Sequence, residues 1–260
     1  MAYSTIEIAR DGAATIITFN RPDKRNAVSV AMMREIIAAA RDAEADRSVV
    51  AVILSGGASG FSAGADLNEA RAIKTTDQAL AYFGNWHRLT AALEALRTPV
   101  IAAIEGYCMT GGLELALACD LRVAGAGASF AITSAKIGTV AGAGGTQRLP
   151  RLIGAAKALE LLFAADPIDA AAAERIGLVN RVVPAGGALA EAKRMVEIYR
   201  GRGPLSLAYV KQAVYRGLQL DLAAGLELES ALVAAVYQTQ DKEEGIAAFL
   251  EKRTPTFRGV

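Results

Sequence analysis

A chain of 260 residues with 53% hydrophobic side chains can bury a sizeable core, as one large domain or as a main domain with an appendage. Lys and Arg total 28 against 27 for Asp and Glu, a net charge of +1. That balance excludes a general attraction to nucleic acid or anionic membrane, so any anionic ligand must be met by local charge. No apolar run reaches the ~20 uncharged residues of a membrane helix.

In chain order, residues 6–8 and 14–19 read as the strands of a hairpin. Residues 32–45 carry helical spacing, with Ser29 as N-cap and Glu35 on the wet side. Residues 49–54 form a short β-branched strand, ended by the flexible loop Gly56-Gly57-Ala58-Ser59-Gly60. A helix follows over 77–96, then Pro99 opens a strand over 100–104, and Gly106 leads into Gly111-Gly112-Leu113-Glu114. Strand, loop and helix recur about every fifty residues, a rhythm that predicts α/β architecture with largely parallel pairing. From residue 187 onward the pattern is helical, over 189–199, 205–218, 222–237 and 243–252, with no strand signal between. Four amphipathic helices in succession would cap the core or bury their apolar faces against another subunit.

Gly111-Gly112-Leu113-Glu114 carries the chemistry. Two glycines allow another molecule to touch the backbone, and a helix N-terminus there would hold a developing anion beside a carboxylate. Taken alone, Glu114 also reads as a helix-start acid worth ~0.3–1 kcal/mol against the dipole. The loop Phe61-Ser62-Ala63-Gly64-Ala65-Asp66, taken alone, is turn chemistry. Together, two successive loops can each offer a backbone N–H to one oxygen. One histidine, His87, and no Cys/His cluster exclude a zinc site and leave a serine triad without another base. Following Trp86 in a helix, His87 is assigned to packing or surface. Cys108 and Cys119 lie in an apolar stretch, and the N-terminus lacks a basic-then-apolar leader, so a reduced, cytoplasmic protein is expected. The run from Gly142 to Gln147 lacks the third glycine of a dinucleotide loop.

Several ordered motifs then carry a resemblance. They are Asn20-Arg21-Pro22 with Arg25-Asn26-Ala27, Ser62-Ala63-Gly64-Ala65-Asp66-Leu67, and Gly106-Tyr107 through Gly111-Gly112-Leu113-Glu114-Leu115-Ala116. Ala118-Cys119-Asp120 and Gly142-Ala143-Gly144-Gly145-Thr146-Gln147-Arg148-Leu149 follow. The sequence resembles the enoyl-CoA hydratase/isomerase (crotonase) family over nearly its whole length. The resemblance implies a spiral of ββα units over residues 1–190 that binds acyl-CoA, and a helical oligomerisation region over 191–260 that builds a homotrimer or a dimer of trimers. It implies a coenzyme A thioester as substrate, no further cofactor, no metal, and neither nucleic acid nor membrane as partner. The backbone N–H groups of Ala65 and Gly111 resemble the family's oxyanion hole. The coenzyme is expected along Arg25, Ala27, Ala63, Asp66 and Leu67, with Phe249 and Lys252 reaching in from a neighbouring subunit. For Arg25 and Lys252 a solvated surface charge is the alternative.

Hydratases of this family use two glutamates on opposite sides of a water. Glu114 fills the first place, but counting back from Gly138 puts Ser134 in the second, and the usual Pro-Glu pair has become Thr133-Ser134. A serine hydroxyl has no pKa near neutrality, and loss of a positioned acid or base costs ~10² to 10⁴ in rate. Ala141 stands where many relatives carry proline, and Thr110 where many carry a third glycine. The resemblance therefore implies an enoyl-CoA hydratase-like lyase of fatty acid metabolism, acting through Glu114. The alternatives are a one-acid reaction, such as thioester hydrolysis or decarboxylation, and an acyl-CoA-binding homologue that lost fast chemistry. Acyl-chain contacts are expected within 67–80 and around Ile132.

Overall fold

The structure is a computed structural model that describes residues 3–260. Its strands are β1 (Ile6–Asp11), β2 (Ala14–Phe19), β3 (Ala51–Ser55), β4 (Val100–Ile104), β5 (Tyr107–Met109), β6 (Leu121–Gly125), β7 (Ser129–Ala131), β8 (Ile168–Asp169) and β9 (Arg181–Val183). The hairpin β1–β2 turns at Gly12, whose φ of 54° suits a residue without a side chain. Strands β3, β4, β6 and β9 then add in parallel, giving a six-stranded sheet in the order β1-β2-β3-β4-β6-β9. A smaller sheet has the order β5-β7-β8.

The helices of the first half are α1 (Val30–Ala45), α2 (Leu67–Ala72), α3 (Thr76–Ala95) and α4 (Gly111–Leu117). Ser29 caps α1 as expected, its side chain accepting from the N–H of Met32 at 3.2 Å. Thr75 and Gln78 form a reciprocal capping box on α3. Next come α5 (Gly145–Ile153), α6 (Ala155–Ala164) and α7 (Ala170–Arg175), and the chain ends in α8 (Ala188–Arg200), α9 (Pro204–Gly217), α10 (Leu222–Val236) and α11 (Gln240–Leu250).

Side chains alternate across the sheet with the period of two that strands impose. Ile17, Val52, Leu54, Val100, Ala102 and Ile104 join Met32, Ile36, Trp86, Leu89 and Leu93 of α1 and α3 in one core. Ile16, Ala51, Ile53, Ile101, Ala103 and Val123 join Ala188, Ala192, Met195 and Val196 of α8 in the other. A parallel sheet needs both faces covered, and α8 supplies the second cover. The division expected between residues 190 and 191 thus falls inside a helix of the core, where burying Met195 and Val196 contributes about 1.5–3 kcal/mol each. The helices that project from the core begin at α9. It is tied back by Lys211, whose ammonium lies 2.9 Å from Asp120 Oδ2 and donates to Leu93 O at 3.2 Å. α10 packs on α9 and buries none of its residues, leaving Leu222, Leu226 and Val233 exposed. Among the described residues, no helix is long and apolar enough to cross a membrane.

Candidate active site

Two strands of the main sheet deliver two loops to one point. After β3, residues 61 and 62 run beside the segment that follows β4. Phe61 N–H donates to Glu105 O at 2.9 Å, Ser62 N–H to Tyr107 O at 3.1 Å, and Met109 N–H to Ser62 O at 2.9 Å. The buried Ser62 hydroxyl donates to Asn26 O at 2.7 Å and accepts from Gly64 N–H at 3.1 Å, which fixes the turn beyond. This stitching sets Ala65 against the first turn of α4. A Cβ built on Gly111 would lie 3.2 Å from Ala65 N and 2.8 Å from Trp86 Cη2, and one on Gly64 would lie 3.2 Å from Gly111 N. Only glycine allows that approach. Val28 bonds to Gly64 O and to Asp66 N–H on either side of Ala65, and Gly111 is the first residue of α4; neither the Ala65 nor the Gly111 N–H has an acceptor among the described residues.

Glu114 lies one turn into α4 and is 2% exposed. Its Oε1 accepts from Ala143 N–H at 2.7 Å and from Gly145 N–H, the first residue of α5, at 2.8 Å. The glycine run at 142–145 thus turns into a helix against the carboxylate. A Cβ on Gly145 would meet Glu114 Cγ and Oε1 at 3.0 Å. Oε2 accepts nothing from the described residues. Burial pushes the carboxyl pKa above the ordinary carboxylate value, and the two amide donors, Arg148 and His87 oppose that rise without cancelling it. Arg148 is held by Glu94 through contacts of 2.6 and 2.8 Å.

Ser134 is buried at the start of a short 3₁₀ turn (Ser134–Ile137), and its hydroxyl makes no hydrogen bond with the described residues. The preceding Thr133 is bonded to Thr110, hydroxyl to hydroxyl at 2.7 Å, and Thr133 N–H donates to Thr110 Oγ1 at 3.2 Å. Thr110 sits at φ 47° and ψ −115°, a conformation that a β-branched residue rarely adopts. Two of the four positions expected to depart from the pattern of the family the sequence resembles, Thr110 and Thr133, therefore touch each other, and Thr110 directly precedes Gly111.

The expected coenzyme strip is brought together in part. Ala63 N–H donates to Arg25 O at 3.0 Å, and Arg25 and Asn26 both have positive φ. The Arg25 guanidinium stacks 4.8 Å above the ring of Tyr107. The Asp66 carboxylate is occupied by the fold: it caps α2 through Asn68 N–H at 3.0 Å and pairs with Arg21 at 2.8 Å. Leu67 is exposed beside it, and Phe249 and Lys252 sit at the end of α11, with Phe249 83% exposed. Cys108 and Cys119 are free and buried, and burial pushes the Cys119 thiol up to about 12. His87, assigned to packing or surface, is exposed on α3 and also bonds through Nε2 to Gly142 O at 3.0 Å. Its place in the sequence, next to Trp86, held no signal of that contact because the partner is a backbone carbonyl 55 residues away.

The sequence pattern of the family described as enoyl-CoA hydratase/isomerase matches residues 10–260. The chain belongs to the enoyl-CoA hydratase/isomerase family. This family member is similar to a probable enoyl-CoA hydratase of Mycobacterium bovis, 41% identical over 258 residues and 99% of both chains. It is 37% identical to a 2,3-dehydroadipyl-CoA hydratase of Escherichia coli over 256 residues, 98% of this chain and 99% of that one. Among solved structures, the enoyl-CoA hydratase from Bacillus anthracis matches with a TM-score of 0.94 at 36% identity, over 99% of this chain and 100% of that one. The fold is the crotonase α/β fold with a C-terminal helical region, as the sequence resemblance implies.

Proposed function

We propose that the chain adds water to a trans-2-enoyl-CoA to give a 3-hydroxyacyl-CoA, or runs the reverse dehydration, with Glu114 as acid/base. The observation that carries this reading is the buried Glu114 carboxylate, fixed at Oε1 by two amides and close to two unpaired N–H groups. The thioester oxygen accepts from Ala65 and Gly111. Water oxygen bonds to C3 while Oε2 takes its proton, and the C2=C3 pair shifts so that charge collects on the thioester oxygen. C2 then takes a proton from solvent, Glu114 returns its own, and the net change is addition of one water. Each backbone donor contributes ~3–4 kcal/mol where that charge develops. The coenzyme lies along Arg25, Ala27, Ala63 and Leu67, completed by Phe249 and Lys252 of a neighbouring subunit in a trimer or dimer of trimers. The exposed apolar side chains of α9 and α10 support such assembly, and two free thiols suit a reducing compartment.

Ser134 favours a second reading. With one carboxylate, the same oxyanion hole would serve thioester hydrolysis or decarboxylation of a carboxyacyl-CoA, or the chain would bind acyl-CoA with little turnover. Short and long trans-2-enoyl-CoA thioesters should be offered to the purified protein while the conjugated-thioester absorbance is followed. Hydration that rises in Ser134→Glu supports the assignment of Ser134 to the second acid's place. Tight coenzyme A binding with no turnover of any thioester overturns the enzyme reading.

A further inference from the structure

The backbone on which Glu114 rests is itself held from outside. The amide joining Gly142 to Ala143 is one planar unit. Its N–H donates to Glu114 Oε1 at 2.7 Å, and its C=O accepts from His87 Nε2 at 3.0 Å. The carbonyl can only accept, so Nε2 carries the proton. His87 projects from α3, the helix that also places Trp86 against Gly111 and the ring of Phe83 where a Cβ on Gly142 would lie, 2.3 Å away.

We propose that His87, the single histidine of the chain, is a positioning residue that holds and polarises the Gly142–Ala143 peptide, so that its N–H keeps Glu114 oriented and favours its ionised form. The inference rests on Glu114 being the working carboxylate. A carbonyl that accepts a hydrogen bond withdraws density from its amide nitrogen, and the N–H becomes the stronger donor; such cooperativity strengthens a bond by roughly 10–30%. The other charged groups around Glu114 are Arg148 of α5 and the Glu94 of α3 that pairs with it. Arg148 also donates to Ala143 O at 3.3 Å, on the next peptide. That pair stays in place when His87 is replaced.

The test uses His87→Ala, His87→Phe and His87→Gln, each made with Glu114 present and with Glu114→Gln. His87→Phe keeps a ring without a donor, and His87→Gln keeps a side-chain N–H. Without the donor, kcat on an enoyl-CoA should fall by up to ~10²-fold at unchanged KM, because small misplacement of a reacting group has that effect. In Glu114→Gln, replacing His87 should cost nothing further. A second readout needs no turnover: the pH at which the unfolding free energies of the protein and its Glu114→Gln variant separate reports ionisation of Glu114. That pH should move up in His87→Ala and His87→Phe and return toward its original value in His87→Gln. An unmoved separation pH, or an equal loss of kcat with and without Glu114, overturns the proposal. A protein that turns over no thioester defeats the proposed reaction, while the separation pH still decides the role of His87.

Discussion

Replacing Glu114 with glutamine should lower activity and raise stability at once, with the second effect growing with pH. Glu114→Gln is isosteric, and its Oε1 still accepts from Ala143 and Gly145. The variant cannot take a proton, carries no charge, and has an NH2 group in place of Oε2. Loss of a positioned base lowers kcat by ~10² to 10⁴, about 3–5 kcal/mol of barrier. The folded carboxyl has a pKa raised above 4.5 by burial. Folding therefore favours the protonated acid, and the stability this gives is complete below the unfolded value and lost as pH rises through the folded one. Above that point the native state carries a buried charge that the variant lacks. Denaturant melts of both proteins from pH 4 to 8 should coincide at the acid end and diverge in favour of Glu114→Gln as pH rises. The rate of the unsubstituted enzyme should fall on the acid side at a pH above the usual carboxylate range. Full activity in the variant would rule out Glu114 as the acid/base, and a stability difference that is flat with pH would rule out a raised carboxyl pKa in the folded state.

Gly111→Ala would put a methyl 2.8 Å from Trp86 and 3.2 Å from Ala65 N, so the two N–H groups must separate. Turnover should fall ~10² to 10³-fold while coenzyme A binding, measured by calorimetry, persists. At Thr110, with φ 47°, glycine removes the strain whereas alanine keeps it, and both lose the hydroxyl bonded to Thr133. Thr110→Gly should therefore unfold at higher denaturant than Thr110→Ala, by about 1–3 kcal/mol.

Much of this site is legible in the sequence, because glycine pairs and their spacing report where backbones must come close. Gly111 beside Ala65, and Gly145 against Glu114, are both such cases. The early strands and α1, α3 and α9 to α11 followed from periodicity and caps. The place of α8 did not, since an amphipathic helix reads the same whether it covers a sheet or another helix. Short strands such as β5, β7 and β8 carry too few residues for periodicity to register. Side-chain to backbone contacts were invisible for a different reason. The partner of His87 is a carbonyl that every residue possesses, and the Asp66 carboxylate is engaged by Arg21, 45 positions away.

The most direct test is a crystal structure with a bound, unreactive acyl-CoA. The thioester oxygen should lie within hydrogen-bond distance of both Ala65 and Gly111 N–H, with C2 and C3 beside Glu114 Oε2 and the Ser134 hydroxyl across from it. A thioester bound elsewhere, or a second carboxylate reaching C2, would contradict this placement.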